Sequence, residues 1–205
     1  MLSKREVVYR EVLSKALAFK RERQFSFTQL SLAKKFGFSL STVNNALKPL
    51  AGIGTIEKKP RSFSIVDARK ALVFWATARR FSRDIVYSTR SKLPPQKIEG
   101  SMPSSVVFTA YSGYRLFFGD APADYGEVYV YVDEKTLEEL KERFPEEKGP
   151  ANVFALEKDE FMPNESIVPL AQLYVDLWNL KEWYAKDFLE ALEKKFFKES
   201  NHSIE

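Results

Sequence analysis

The sequence predicts a mixed α/β protein of the α+β class, with a helical N-terminal domain and a C-terminal domain of helices and strands. Apolar residues recur at helical spacing through much of residues 3–50. Further on, valines alternate with tyrosines over 127–133, which predicts a strand, and an amphipathic helix follows over 134–144. The 205 residues, 44% hydrophobic and 14% aromatic, suffice for one large or two small packed domains and argue against a disordered chain.

Composition removes several classes of function. The chain has no cysteine, so disulfides, thiolate metal sites and cysteine nucleophiles are excluded. The only histidine is His202, which nearly excludes histidine catalysis and His-cluster metal sites. The longest apolar run, 71–76, is far shorter than the roughly 20 residues of a membrane span, and the N-terminus lacks the apolar stretch of a secretory signal. We therefore expect a cytoplasmic protein without membrane association, metal or cofactor.

The charge is divided unevenly along the chain. Residues 1–100 contain 21 Lys+Arg and 7 Asp+Glu, whereas residues 101–205 contain 11 Lys+Arg and 21 Asp+Glu. The net charge of +4 therefore hides halves of +14 and −10. Such asymmetry predicts a basic nucleic-acid-binding part and a separate acidic part. The alternative is that the solvated faces of the two halves differ by chance.

The first helix is predicted to begin after Ser3, which forms a capping box with Glu6. Its apolar face follows as Val8, Val12, Ala16 and Phe19. Basic side chains crowd its end, where they favour the helix dipole or contact phosphates: Lys20, Arg21 and Arg23. A very short strand is expected over 25–27.

Two short helices and a hairpin are predicted next. Thr28 caps a helix over 29–36 that ends at Gly37, and Ser39 or Ser41 caps a helix running to about Leu50. Pro49 is expected to tighten or stop the last turn of that helix. Strands at 55–59 and 62–66 form a hairpin with a basic tip.

The rest of the chain alternates between helices and strands. Asp67 is expected to cap a helix from 68 to about 81, followed by a strand at 85–87, and a region rich in proline and glycine at 89–105 predicts a linker. A turn over 145–150, a strand over 152–156, and helices over 167–179 and 182–199 complete the prediction. The predicted domains are 1–88 and 106–205, separated by the linker at 89–105.

The sharpest motif lies at 28–48, where Ala33, Gly37 and Val43 are spaced by four and six residues. Two helices crossing steeply need a small residue where they touch, and the tight turn between them needs the positive φ that glycine allows. Other apolar side chains are expected to fill the core: Leu30, Leu32, Phe36, Ala46 and Leu47. This window resembles the helix-turn-helix of transcription factors, and the following hairpin resembles the winged variety. The alternative is an ordinary three-helix unit with a glycine turn.

The predicted exposed face of the second motif helix suits DNA. It carries Ser41, Thr42, Asn44, Asn45 and Lys48, and no Asp or Glu occurs over 23–56. We expect this helix to enter the major groove, where Asn44 or Asn45 bonds an adenine edge. Ser41 and Thr42 would bond phosphates or bases. Further cations are expected at the phosphate backbone or the minor groove: Lys34, Lys35, Lys58, Lys59 and Arg61. Arg79, Arg80 and Arg83 are expected to extend this basic face.

The acidic half shows no convincing catalytic constellation. Ser112 precedes Gly113 without any accompanying histidine, so a catalytic triad is not available. Four aspartates are scattered near predicted loops and strand ends, where acids are usually solvated: Asp120, Asp124, Asp133 and Asp159. The aromatic residues between Tyr174 and Phe188 are expected in the core at helical spacing; the alternative is an aromatic-lined ligand or partner surface.

Three segments carry a family resemblance: 108–115, 128–132 and 168–177. In the last of these, one helix contains Pro169, Gln172, Tyr174, Asp176 and Leu177. Together with the N-terminal motif, they resemble the AbiEi family of antitoxin regulators, and the chain is also similar to archaeal winged-helix regulators of this size. The resemblance implies DNA-binding autorepression and, in some members, antagonism of a nucleotidyltransferase toxin. The C-terminal part resembles a degraded nucleotidyltransferase: Ser112-Gly113 reverses the expected order and Asp133 is a single acid, which argues against activity.

These observations predict a sequence-specific, double-stranded-DNA-binding transcriptional repressor that acts by promoter occlusion. Two alternatives remain: an antitoxin-like interaction protein that binds a protein partner through 106–205, and a nucleotidyltransferase-like enzyme acting on nucleic acid. A homodimer is expected only by analogy with winged domains followed by dimer-forming helices. Abundant Lys and Glu with few Asn and Gln suggest a thermophilic source.

Overall fold

The computed structural model describes residues 1–18 and 26–197. The predicted cations Lys20, Arg21 and Arg23, together with Phe19 and His202, lie outside these ranges. The described residues form a mixed α/β fold of the α+β class with two sheets. The α-helices are α1 Lys4–Ala18, α2 Gln29–Phe36, α3 Leu40–Gly52, α4 Ala68–Ala78, α5 Pro95–Gly100, α6 Ala110–Phe118, α7 Glu134–Arg143, α8 Leu170–Trp178 and α9 Ala185–Phe197. The strands are β1 Ile56–Lys58, β2 Phe63–Ile65, β3 Ile85–Thr89, β4 Val107–Thr109, β5 Val128–Val132 and β6 Val153–Glu157.

The chain divides into two compact units. The first contains Leu2–Arg79, Pro169–Val175 and the residues from Leu192 onward. The second contains Met1, Arg80–Val168 and Asp176–Ala191. This division differs from the predicted domains, because the second unit begins well before residue 106 and the chain returns to the first unit near its end.

Residues 89–105, predicted as a linker, include α5 and belong to the second unit. Pro95 opens α5, a position where the missing N–H of proline is not needed and its fixed φ suits a helix. Ile98 of this helix is fully buried. The prolines that suggested a linker therefore begin a packed helix.

In the first unit, local side-chain caps define the helices as predicted. The Ser3 hydroxyl and backbone N–H both donate to Glu6, at 2.8 and 2.9 Å, which confirms the capping box of α1. Asp67 accepts from the Lys70 backbone N–H at 2.8 Å and begins α4. This helix ends at Ala78, earlier than predicted, because Arg79 is extended and a 3₁₀ turn follows over Phe81–Asp84.

Helix α3 continues through Pro49 to Gly52, whereas the sequence predicted a stop near Leu50. Proline removes one backbone donor from a helix, but tertiary packing can outweigh that loss. Here Leu50 is fully buried, and its carbonyl accepts from the Thr55 backbone N–H at 3.0 Å and hydroxyl at 2.8 Å. These contacts hold the last turn in place.

The core of the first unit joins α1, α3, α4 and the hairpin of β1 and β2. Its fully buried apolar residues include Val8, Val12, Leu13, Val43, Leu50, Ile65, Leu72 and Trp75. The Trp75 indole N–H donates to the Glu6 carboxylate at 3.3 Å. Glu6, which belongs to the capping box of α1, therefore also provides the hydrogen-bond acceptor for the largest buried side chain.

The second unit is organised around a four-stranded sheet with the order β3-β6-β5-β4. Strands β5 and β6 run parallel, and the outer pairs are antiparallel. All five residues of β5 are buried, so both faces of this central strand are covered. Helix α7 begins at Glu134, as predicted, with Asp133 as its N-cap, and Leu140 and Phe144 are buried.

Two predicted helices of the C-terminal part begin later than expected, and the predicted end of the second, 198–199, lies outside the described residues. Residue Ile167 pairs with Phe108 as an isolated bridge instead of beginning a helix, and α8 begins only at Leu170. The helix predicted over 182–199 is described from Ala185 to Phe197. Helix α6 was not predicted; it begins at Ala110, whose φ of 54° is in the left-handed region.

A buried polar group connects distant segments of the second unit. The Asp176 carboxylate accepts from the Thr109 hydroxyl at 2.8 Å and from the Tyr131 hydroxyl at 2.9 Å. All three side chains are fully buried. A buried carboxylate needs such donors, and the pairs hold β4 and β5 to residue 176.

Candidate nucleic-acid interface

The two short helices of the first unit meet at the predicted glycine turn. The Thr28 hydroxyl accepts from the Ser31 backbone N–H at 3.0 Å and begins α2. Gly37 ends it with a φ of 64°, and Phe38 donates its N–H to the Ala33 carbonyl at 3.0 Å. Ala33 is buried, as expected for the small residue at a close helix contact. The turn chemistry inferred from the spacing is confirmed.

The predicted base-contacting residues of α3 divide into two groups. Ser41, Asn45 and Lys48 are exposed, and their spacing of four and three residues places them on one side of the helix. Asn44 and Thr42 are half-buried. The opposite side buries Val43, Ala46, Leu47 and Leu50. The exposed stripe is therefore Ser41, Asn45 and Lys48.

The cap at the N-terminus of α3 engages Thr42, one of the predicted contact residues. Ser39, rather than Ser41, is the N-cap, and its hydroxyl accepts from the Thr42 backbone N–H at 3.0 Å. The Ser39 and Thr42 hydroxyls also bond each other at 2.9 Å. Ser41 is left exposed at the first turn, where backbone N–H groups favour an anion.

The hairpin presents a basic tip. Strands β1 and β2 are antiparallel, and Lys59 donates its N–H to the Ser62 carbonyl at 2.8 Å to close the turn. Lys58, Lys59 and Arg61 are exposed, and they form no ion pair within the described part of the chain. Glu57, which sequence reasoning did not consider, is an exposed carboxylate on β1. The tip therefore carries three available cations beside one acid.

A further strand residue completes this hairpin. Phe27 pairs with Phe63 through backbone hydrogen bonds of 2.7 and 2.8 Å, and the two rings stack at 5.4 Å. The short strand predicted over 25–27 is thus described at Phe27 alone. It ties the start of α2 to β2 and fixes the hairpin against the two helices.

Lys34 and Lys35, both predicted to lie beside the DNA backbone, have different environments. Lys34 is exposed without an ion pair to any described residue, whereas Lys35 pairs with Glu11 of α1 at 2.6 Å. Burial opposes ionisation of Glu11, but hydrogen bonds from Lys15 and Lys35 outweigh it and lower the pKa of this carboxyl. The charge of Lys35 is therefore already compensated inside the protein. Arg79, predicted to extend the basic face, is buried 3.6 Å from the Glu6 carboxylate, so it does not belong to that face.

Sequence reasoning missed a cleft of about 320 Å³ between the start of α2 and the hairpin. Its lining includes Gln29, Leu30, Lys58 and Arg61. Leu30 was predicted to fill the core, but it is 52% exposed because it lies on the outer side of α2. Leu30 lies two residues after the N-cap Thr28, and in this first turn a side chain can face away from the neighbouring helix. This position was the one sign in the sequence that Leu30 is exposed.

The candidate catalytic residues of the acidic half are engaged structurally. Ser112 is fully buried and lies with Gly113 in the first turn of α6, which directly follows β4, so its hydroxyl is not exposed to a substrate. Asp133 accepts from the Thr136 backbone N–H at 2.8 Å and hydroxyl at 2.7 Å. Within residues 1–18 and 26–197, no group of three or more His, Asp or Glu side chains is placed to hold a metal ion.

Comparison with known proteins adds no assignment. No helix in the described segments combines the length and apolar character needed to cross a bilayer. No family model, curated protein or solved structure matches this chain.

Proposed function

We propose that the chain is a sequence-specific DNA-binding transcriptional regulator whose first unit is a winged helix-turn-helix. The order of α1, Phe27, α2, α3 and the hairpin is that of this motif. One observation carries the proposal: α3 exposes Ser41, Asn45 and Lys48 on one side, next in sequence to a hairpin whose three cations pair with no described acid. Hydroxyl, amide and ammonium groups are those that read base edges and hold phosphates.

The candidate DNA-binding surface comprises Ser41, Asn45 and Lys48 of α3 with Lys58, Lys59 and Arg61 of the hairpin. Helix α3 would lie in the major groove with its first turns nearest the bases, and the hairpin would contact the flanking backbone. Occupation of a promoter by this unit would block transcription. The AbiEi-like segments at 108–115, 128–132 and 168–177 support the same role, since that family pairs such a motif with a second domain.

The experiment is selection of bound duplexes from a random pool by the full chain, followed by affinity measurements on an enriched and a scrambled duplex. Asn45→Ala should weaken binding to the enriched duplex by about 1–3 kcal/mol, roughly 5- to 150-fold, because a bidentate base contact is lost. The affinity for the scrambled duplex should stay unchanged.

The matched control is Asn164→Ala, which removes an exposed amide from the second unit. Equal losses for Asn45→Ala on both duplexes would assign this residue to the backbone instead of the bases. Failure of any motif to emerge from the pool would contradict sequence-specific binding. An enriched motif with half-site symmetry would add evidence for a homodimer.

A further inference from the structure

A cluster of tyrosine and glutamate side chains lies in the second unit. It is built from Tyr111 of α6, Glu127 and Tyr129 at the start of β5, and Glu182 and Tyr184 before α9. The ring centroid of Tyr111 is 5.0 Å from that of Tyr184 and 6.3 Å from that of Tyr129. We refer to these five residues as the Tyr–Glu cluster. It shares no residue with the candidate DNA-binding surface, so its chemistry is independent of DNA binding.

Both carboxylates of the cluster are held by tyrosine hydroxyls. The Tyr111 hydroxyl donates to Glu182 at 3.0 Å, and the Tyr184 hydroxyl donates to Glu127. Glu127 and Glu182 are half-buried, and neither forms an ion pair with a lysine or arginine of the described residues. Two negative charges partly withdrawn from water without a counter-charge are unfavourable, and an external cation would relieve them.

Tyr129 supplies an independent observation. Its side chain is only 4% exposed, yet its hydroxyl makes no hydrogen bond to any residue that the structure describes. Burial, with the nearby Glu182 and Glu127 carboxylates, raises the pKa of this hydroxyl, so it stays protonated beside them. This hydroxyl oxygen is therefore available to a ligand, beside two carboxylates near enough to influence it electrostatically.

The rim of the cluster is an exposed aromatic ring. Trp183 is 81% exposed, and its ring meets that of Tyr184 edge to face at 5.4 Å. An indole face in water next to carboxylates favours cations through both charge and the ring quadrupole. A hard metal ion fits poorly, because Mg²⁺ and Ca²⁺ need about six or more oxygen ligands and the cluster offers two carboxylates.

We propose that the Tyr–Glu cluster binds an organic cation, the ammonium or guanidinium group of a ligand. The cation would donate hydrogen bonds to the Glu127 and Glu182 carboxylates and pack against Trp183, while the Tyr129 hydroxyl oxygen accepts a further hydrogen bond. The same chemistry could be carried by a free polyamine or by a lysine or arginine side chain of a partner protein.

The test is isothermal titration calorimetry on the full chain with three probes. These are spermidine, a blocked Gly-Arg-Gly peptide, and the same peptide with citrulline, which has the shape of arginine without its charge. Saturable binding of a cationic probe with no binding of the citrulline peptide is expected. Tighter binding of spermidine would indicate a free amine, and tighter binding of the arginine peptide would indicate a partner protein.

Three substitutions locate the site. Glu127→Gln and Glu182→Gln keep an acceptor for the tyrosine hydroxyls, and each should weaken binding about tenfold, as for a lost charge-assisted hydrogen bond. Tyr129→Phe preserves the ring and should weaken binding by a smaller factor. Glu142→Gln, at an exposed carboxylate of α7, is the matched control and should leave the affinity unchanged.

Trp183→Ala provides a variant that does not touch the interior, because this side chain is exposed; it should also weaken binding. The inference is overturned if no cationic probe binds the wild type, or if the Glu127→Gln/Glu182→Gln double variant binds as tightly as the wild type. Equal binding of the citrulline peptide would overturn it as well.

Discussion

The candidate DNA-binding surface and the Tyr–Glu cluster are assembled in opposite ways. The first comes from one continuous stretch, with all its residues between Ser41 and Arg61. The second joins three segments, and the Tyr111–Glu182 hydrogen bond spans 71 positions. A local pattern of spacing and charge predicts the first kind of surface. Nothing local predicts the second, because its members become neighbours only when the sheet and helices of the second unit pack.

The same contrast applies to the polar contacts that stabilise each unit. In the first unit, Thr28 and Ser39 each bond a backbone N–H three residues away. In the second unit, Asp176 bonds Thr109 and Tyr131, which are 67 and 45 positions distant. A local cap satisfies groups that water could otherwise reach, whereas a fully buried carboxylate has no such alternative.

The largest expected effect is therefore on stability in the second unit. Asp176→Ala should lower the free energy of unfolding by about 3 kcal/mol, because it leaves the buried Thr109 and Tyr131 hydroxyls without this acceptor. Asp176→Asn keeps an acceptor and should cost less. Urea unfolding followed by circular dichroism measures both variants.

The matched change in the first unit is Thr28→Ala, for which the expected loss is about 1 kcal/mol, the usual cost of an N-cap. If Thr28→Ala destabilises as strongly as Asp176→Ala, the distinction between local and long-range polar contacts fails.

The next effect concerns DNA affinity. Replacing Lys58, Lys59 and Arg61 together with Gln should weaken binding on the order of 100-fold near physiological salt, if each cation neutralises one phosphate. The slope of log affinity against log salt concentration should fall by nearly 3, at about 0.9 per contact. Fluorescence anisotropy with a labelled duplex at several salt concentrations gives both quantities.

The Tyr–Glu cluster supplies the comparison for that measurement. Glu127→Gln/Glu182→Gln raises the net charge by two, whereas the hairpin variant lowers it by three. Because it removes no cation, the double variant should neither weaken DNA binding nor reduce the salt slope. An unchanged slope in the hairpin variant would remove the hairpin from the candidate DNA-binding surface.

The sequence predicted best where side chain and backbone interact within a few residues. The caps at Ser3, Thr28 and Asp67 and the glycine turn at Gly37 are all confirmed, since each depends on a residue type and a short spacing. The role of Leu30 was predicted incorrectly, because periodicity alone does not separate a helix-contact side from an adjacent outer side.

The second unit was less accessible to sequence reasoning. Helix α6 was missed because it begins at Ala110 with a positive φ and has no side-chain cap, so it lacks the usual N-terminal signal. The predicted aromatic core was correct for Tyr174 and Phe188, which are fully buried, but Trp178 and Trp183 are exposed. Trp183 lies between Glu182 and Tyr184 in the sequence, but a role in binding could be inferred only once the fold had placed Glu127 and Tyr129 in the same cluster.

The smallest expected effect tests a local cap inside the second unit. The Thr136 backbone N–H and then its hydroxyl lower the pKa of Asp133, because both donate to the ionised carboxylate. A carboxyl whose pKa is lower in the folded state contributes stability above its unfolded pKa of about 3.9, and that contribution is lost as the pH falls through the folded pKa.

Asp133→Ala should accordingly cost about 1 kcal/mol at pH 7, and the difference from wild type should shrink below about pH 4. Asp133→Ser retains a capping oxygen that does not titrate, so its stability difference from Asp133→Ala should stay constant over the same range. Free energies of unfolding at pH 7 and pH 3 for the three proteins decide the matter. If the wild-type advantage persists undiminished at pH 3, the charge of Asp133 does not stabilise α7, and the second unit draws no pH-dependent stability from this cap.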